Sequence, residues 1–252
     1  MSETTIPEWP ARPALFLDLD GTLLELEEEP DAVELSTRLK KLLPRLPAAT
    51  GGAVAFVSGR TIREIDRLLA PHRFALAGVH GNERRGNGLS SLQEGDDSDA
   101  LDGIRREMEA YRAANPGLIV EDKRIGVALH YRKRGDLEAA VLEFAARLEA
   151  SLPRGYELLR GSKVVEVKPS AMNKGAAVRA FMQEPPFVER TPVFVGDDVT
   201  DEAAFEAVNA LGGVAVKVRA GATAAPWRLP NVDAVLSWLE TLVARQSGSG
   251  HG

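Results

Sequence analysis

Short apolar runs recur along the chain at "ALFLDLD" (14–20), "GAVAFVSG" (52–59), "PVFVGDD" (192–198) and "GVAVKV" (213–218). Their length and their Val, Leu, Phe and Ala content fit strands buried on both faces. The first three end in small or acidic residues. Between them the period changes to that of a helix: Leu39, Leu42, Leu43 and Leu46 form one stripe, and Ile62, Ile65, Leu68 and Leu69 another. Thr61 followed by Glu64 is a capping-box pattern at the start of the second. Strands alternating with helices predict an α/β fold with a Rossmann-like parallel sheet covered on two sides.

The middle of the chain follows a different pattern. A Gly- and Asp-rich polar stretch, "RRGNGLSSLQEGDDSD" (84–99), interrupts the alternation. A helix with Leu101, Ile104, Met108 and Tyr111 on one side comes next, then a hairpin, "LIVEDKRIGVALHYR" (118–132). A helix carrying Leu137, Val141, Phe144 and Leu148 precedes a second hairpin, "YELLRGSKVVEVKP" (156–169). This α+β pattern predicts a smaller domain inserted at 85–167, between core segments 1–84 and 168–246.

Composition narrows the function classes. A net charge of −6 argues against broad contact with nucleic acid or an anionic membrane surface. The absence of cysteine excludes disulfides and thiolate metal sites and fits a reducing compartment, so a cytoplasmic location is expected. No secretory leader is evident in "MSETTIPEWPARP", and no apolar stretch approaches the roughly 20 residues of a membrane span. "SGSGHG" at the end is expected to lie outside the fold. The chain is expected to act as a monomer on a small molecule.

In an open parallel sheet, ligands gather at the carboxyl ends of the strands. Asp18 and Asp20, Ser58, Lys174 and the cluster Asp197, Asp198 and Asp201 all fall there. As alternate residues of a strand, Asp18 and Asp20 are expected to point the same way. Several carboxylates without cysteine suit a hard, oxygen-liganded cation such as Mg²⁺. Ser58 with the amides of Gly59 and Arg60 lies between a strand end and a helix start, a setting that favours phosphate. Lys174 adds a positive charge. Together these groups suit phosphoryl transfer, with Asp18 attacking phosphorus and Asp20 handling the leaving group's proton. An aspartate signalling receiver shares some of these parts, but Asp20 and the insert have no use there.

In order, "DLDGTL", "SGR", a Lys before a Gly, and "GDDVTDE" resemble the motifs of haloacid dehalogenase-like (HAD) phosphatases. "GVHGNE" (78–83), "VEDKRIGVALHYR" (120–132) and "VVEVKPSAMNKG" (164–175) resemble the trehalose-6-phosphate phosphatase branch, whose insert is a cap. The resemblance covers about residues 14–240. It implies a Mg²⁺-dependent phosphatase making trehalose and phosphate through an aspartyl-phosphate, with sucrose-phosphate or mannosylglycerate-phosphate phosphatases as nearest rivals. By the same resemblance Asp18 is the nucleophile and Asp20 the acid/base. The metal is held by Asp18, Asp197 and the Asp20 carbonyl, with Asp198 and Asp201 in support. The cap is implied to read the sugar through Glu121, Lys123, His130 and Glu166, while His80 and Asn82 line the cleft and Arg132 is an extra contact. Trp227 and Trp238 are read as packing residues.

Overall fold

The computed structural model describes residues 6–25, 35–86, 90–92, 101–122, 126–153, 155–170 and 172–248. Among these, the first compact unit begins with β1 (Pro13–Leu17), α1 (Thr37–Leu42) and α2 (Leu46–Ala49). It continues through β2 (Val54–Val57), α3 (Ile62–Leu69), β3 (Ala75–Gly78), β4 (Glu83–Arg85) and β5 (Ser90–Leu92). The second unit holds α4 (Asp102–Ala114), β6 (Ile119–Asp122), β7 (Val127–His130), α5 (Glu138–Glu149), β8 (Tyr156–Gly161) and β9 (Val164–Pro169). The chain then returns to the first unit as α6 (Lys174–Phe181), β10 (Thr191–Gly196), α7 (Glu202–Ala210), β11 (Val214–Val218), β12 (Trp227–Leu229) and α8 (Val232–Gly248).

The four apolar runs form β1, β2, β10 and β11, adjacent in a sheet of order β12-β11-β10-β1-β2-β3-β4-β5. All pairs from β12 to β3 are parallel, and β4 and β5 add an antiparallel edge. Alternation divides the side chains between two cores. Leu15, Leu17, Val54, Phe56, Val193 and Val195 face α1, α2 and α8. Ala14, Phe16, Ala55, Val57 and Phe194 face α6 and α7, where Phe181, Val178 and Phe205 are fully buried. Each such side chain contributes roughly 1.5–3 kcal/mol by leaving water.

The leucine stripe is buried as expected but breaks into α1, a 3₁₀ turn (Leu43–Arg45) and α2. Pro44 and Pro47 each remove a helix donor at these junctions. Around α3 the capping box forms as the sequence predicts: Glu64 N–H donates to Thr61 Oγ1 at 3.2 Å, and Thr61 N–H to Glu64 Oε2 at 2.7 Å. Trp238 is buried against Trp9 with ring centroids 3.8 Å apart, and Trp227 packs on the same core. No helix among the described residues is long and apolar enough to cross a membrane.

In the second unit an antiparallel sheet of order β6-β7-β9-β8 packs one face on α4 and α5. That face carries Val127, Leu129, Val165 and Val167, and Tyr111 stacks on Phe144 with centroids 4.0 Å apart. The units divide after Gln93 and after Met172, later than the expected 84 and 167. Two pairings move these limits. Strands β4 and β5 extend the large sheet, keeping residues 83–85 and 90–92 with it. Pairing of Lys168 and Pro169 with β8 holds them in the small sheet. Helix α8 also runs past residue 246, the expected end of the core.

Candidate active site

Strand register brings the site together. Leu17 pairs with Val195 on one side and Phe56 on the other, so Asp18, Asp197 and Ser58 follow at one end of the sheet. Asp18 N–H donates to Val195 O at 3.0 Å, and Ser58 N–H to Ala77 O at 2.9 Å. Lys174 opens α6 behind the N-cap Asn173, whose side chain accepts from Ala176 N at 2.9 Å. A lysine in a first helical turn faces the wrong end of the helix dipole, so its charge needs partners. It has two: Nζ donates to Asp18 Oδ1 and to Asp201 Oδ1, both at 2.7 Å. All three side chains are buried. Burial works against the charge on Lys174, but the flanking carboxylates overcome it and push its pKa up.

Asp201 is the most heavily bonded carboxylate of the cluster, with one side-chain and two backbone donors on it. Its Oδ1 takes Lys174, and its Oδ2 accepts the backbone N–H groups of Asp197 and Asp198, each at 2.9 Å. It is a brace that aims Lys174 and fixes the "GDD" turn. Asp198 closes a capping box on the 3₁₀ turn Val199–Asp201. Asp18 and Asp197 keep more open oxygens. Thr22 Oγ1 lies 3.3 Å from Asp18 Oδ2 and 3.4 Å from Asp197 Oδ1. Gly21 sits at φ +81°, and a Cβ there would lie 2.1 Å from Asp197 Oδ2, so a side chain would displace that carboxylate.

One oxygen from each of Asp18, Asp197 and Asp201 falls within 4.8 Å of the others. Burial, together with the charges of Asp201 and Asp198, pushes the Asp197 pKa up to about 6 against the pull of Lys174 and Arg219. Burial also raises Asp18 well above the usual carboxylate range, with Asp201 and Asp197 adding to it and Lys174 opposing. An all-oxygen donor set with surplus negative charge fits a hard divalent cation, which would draw both pKa values back down.

The two aspartates of "DLDGTL" do not share a strand face. Strand β1 ends at Leu17, and Asp20 lies in the following turn, bridged to Leu24. Asp18 turns into the buried network, whereas Asp20 meets the guanidinium of Arg60. Nε donates to Asp20 Oδ2 at 2.7 Å and an Nη donates to Oδ1 at 2.6 Å. The Arg60 backbone N–H donates to Ser58 Oγ at 3.2 Å. His80 stands over this loop: a Cβ on Gly59 would lie 2.8 Å from its Cε1. Val79 and His80 both hold positive φ (47° and 54°), a cost that pairs with the tight turn placing them. Asn82 is half-buried in the same turn, its N–H donating to Val79 O at 3.2 Å.

In the second unit, Glu121 pairs with Ala128 and Ala128 with Glu166, so these residues and His130 occupy the face opposite the helices. His130 Nε2 lies 2.8 Å from Glu121 Oε2; Glu166 is buried and Arg132 exposed. Lys123 is outside the described residues.

Arg219 is a site residue the motifs did not indicate. It has φ +66°, and its Nη1 donates to Asp197 Oδ2 at 3.1 Å and to Gly21 O at 2.8 Å. Lys217 Nζ donates to Asp197 O at 2.5 Å. Their signal in the sequence is position: both lie at the carboxyl end of β11, the end that supplies ligands in the other strands.

A model of the Trehalose-phosphatase family matches residues 16–233. The chain belongs to the trehalose-phosphatase family. It is 46% identical over 240 residues to the trehalose-6-phosphate phosphatase of Escherichia coli K12, spanning 95% of this chain and 90% of that protein. It is 40% identical over 218 residues to a probable trehalose-phosphate phosphatase of Sinorhizobium fredii, spanning 85% and 79%. The C. albicans trehalose-6-phosphate phosphatase C-terminal domain superposes with a TM-score of 0.79 at 22% identity over 92% of both chains, a likeness of fold. The expected HAD-like α/β architecture is therefore the one the family uses.

Proposed function

We propose that this member of the trehalose-phosphatase family hydrolyses trehalose 6-phosphate to trehalose and phosphate, with Asp18 as nucleophile. The observation that carries the mechanism is the buried Asp18–Lys174–Asp201 chain, with Asp20 held apart from it by Arg60. One carboxylate is fixed beside a cation that can also neutralise a phosphate; a second stands free of that pair to move a proton.

Substrate phosphate is bound by Ser58, the Gly59 and Arg60 amides and Lys174, with His80 and Asn82 beside it. Asp18 attacks phosphorus in line, forming a P–O bond as the bond to the sugar oxygen breaks. Asp20 gives its proton to the leaving alkoxide, then takes one from the water that attacks the aspartyl-phosphate, so phosphate leaves and Asp18 is restored. Asp18, Asp197 and the Asp20 carbonyl would hold Mg²⁺, with Asp198 and Asp201 behind them. When bound, that ion supplies charge neutralisation at the phosphoryl oxygens. Glu121, His130 and Glu166, which share one sheet face, are assigned to the sugar hydroxyls, with Lys123 and Arg132 beside them in sequence. The chain is assigned to the cytoplasm as a monomer, with no nucleic-acid partner, in keeping with its lack of cysteine and its charge of −6.

The test is phosphate release from trehalose 6-phosphate, sucrose 6-phosphate and glucose 6-phosphate, each with Mg²⁺ and with EDTA. A kcat/KM for trehalose 6-phosphate at least about tenfold above the others, lost in EDTA, is expected. Equal rates across the panel would overturn the substrate assignment.

A further inference from the structure

We propose that Arg60 is a positioning residue for proton transfer, holding the Asp20 carboxylate in the orientation from which it serves the leaving oxygen. This rests on the assignment of Asp20 as acid/base. Arg60 presents two parallel donors, Nε and an Nη, to the two oxygens of Asp20 at 2.7 and 2.6 Å. Such a fork fixes the plane of a carboxylate as well as its distance, which a single ammonium cannot do. Among the described residues no other side chain bonds to the Asp20 carboxylate. Its own turn therefore leaves it to rotate once the fork is removed.

The anchor is itself immobilised. Arg60 N–H donates to Ser58 Oγ at 3.2 Å, and Arg60 O accepts from Val79 N at 2.9 Å. These bonds tie the residue to the end of β2 and to the strained Val79–His80 turn. Its side chain is 16% exposed and that of Asp20 34%, so the pair is shielded yet open on one side. Asp18 is held independently by Lys174 and Thr22. Nucleophile and proton donor thus have separate holders, and a change at Arg60 acts on one of them.

The separation gives a readout that simple loss of structure would not. An alkoxide needs a proton to leave; p-nitrophenolate does not. Arg60→Ala, Arg60→Lys and Asp20→Asn in the full chain with Mg²⁺ are to be compared on trehalose 6-phosphate and p-nitrophenyl phosphate, with thermal melts to confirm folding. For Arg60→Ala the ratio of kcat on the sugar phosphate to kcat on the aryl phosphate is expected to fall at least about tenfold, within the range a general acid contributes. KM for the sugar phosphate should stay within about threefold, since no uniform binding is removed. Arg60→Lys, which keeps the charge and the fold, should recover only part of the ratio.

An unchanged ratio, a loss carried by KM, or full recovery in Arg60→Lys would overturn the positioning role. Asp20→Asn separates this from the underlying assignment. If Asp20→Asn lowers the ratio and the Arg60 variants do not, Arg60 alone is misassigned. If Asp20→Asn leaves the ratio unchanged, Asp20 is not the acid and both fail.

Discussion

Replacing Lys174 by Met keeps the length of the side chain and removes its charge from between two buried carboxylates. In the wild type, Nζ lies 2.7 Å from both Asp18 and Asp201, with side-chain exposures of 3%, 6% and 0%. Removing one partner from a buried ion pair costs about 3–5 kcal/mol, because the charge left behind stays out of water. In a chain of this size that corresponds to a fall in Tm of about 6–20 °C. The cost should depend on pH with a definite sign. Asp18 already has a raised pKa through burial and its anionic neighbours, and Lys174 is what holds it down. Without Lys174 the folded state binds a proton more readily than the unfolded one, so stability falls as pH rises from about 4 through the raised folded pKa. Urea unfolding of both proteins in EDTA, at pH 5 and pH 8, measures this. The gap between wild type and variant should be wider at pH 8. A gap below about 1 kcal/mol at pH 8 would refute the premise that charged groups are buried together here.

Mg²⁺ at about 100 times its Kd should raise stability by about 2.7 kcal/mol, and Asp197→Asn should abolish that rise; an equal rise in the variant would move the ion elsewhere. Asp66 accepts two bonds from Arg85, both at 2.6 Å, tying α3 to β4, and these bonds lower its pKa. With Asp66 30% exposed, Asp66→Asn should cost about 1 kcal/mol at pH 7. A lowered folded pKa means that stability is present above the usual carboxylate pKa and disappears as pH falls through the folded one, so the cost should shrink below about pH 4 in urea titrations. Glu166→Gln should lower kcat/KM for trehalose 6-phosphate about 10- to 100-fold through KM, the worth of a charged hydrogen bond, and spare p-nitrophenyl phosphate. Equal losses on both would place Glu166 outside sugar recognition.

Much of the core was legible because period and position carry it. Four apolar runs of strand length, with acidic or small residues at their ends, located the sheet and the end at which chemistry gathers. The capping box at Thr61 was readable since it is purely local. Strands β3, β4 and β12 were not, because they are short and two of them lie at or beside sheet edges, where a few residues are held by pairing more than by pattern. The side chain of Arg60 was hidden for a different reason. Spacing brought attention to its amide, whereas its guanidinium engages Asp20, 40 positions away, through a contact that only the folded chain creates. Asp20 itself looked like a strand residue beside Asp18, and the early end of β1 at Leu17 decides otherwise. Arg219 needed the backbone conformation at φ +66°, which the sequence does not announce in a non-glycine residue.

The central claim is that Asp18 carries the phosphoryl group. Rapid quenching during turnover of trehalose 6-phosphate, borohydride reduction and mass spectrometry of the peptide containing residue 18 tests it most directly. Conversion of Asp18 to homoserine, absent without substrate and absent in Asp18→Asn, is the predicted result. Full turnover with no modified Asp18, or a reduced residue elsewhere in the chain, would contradict it.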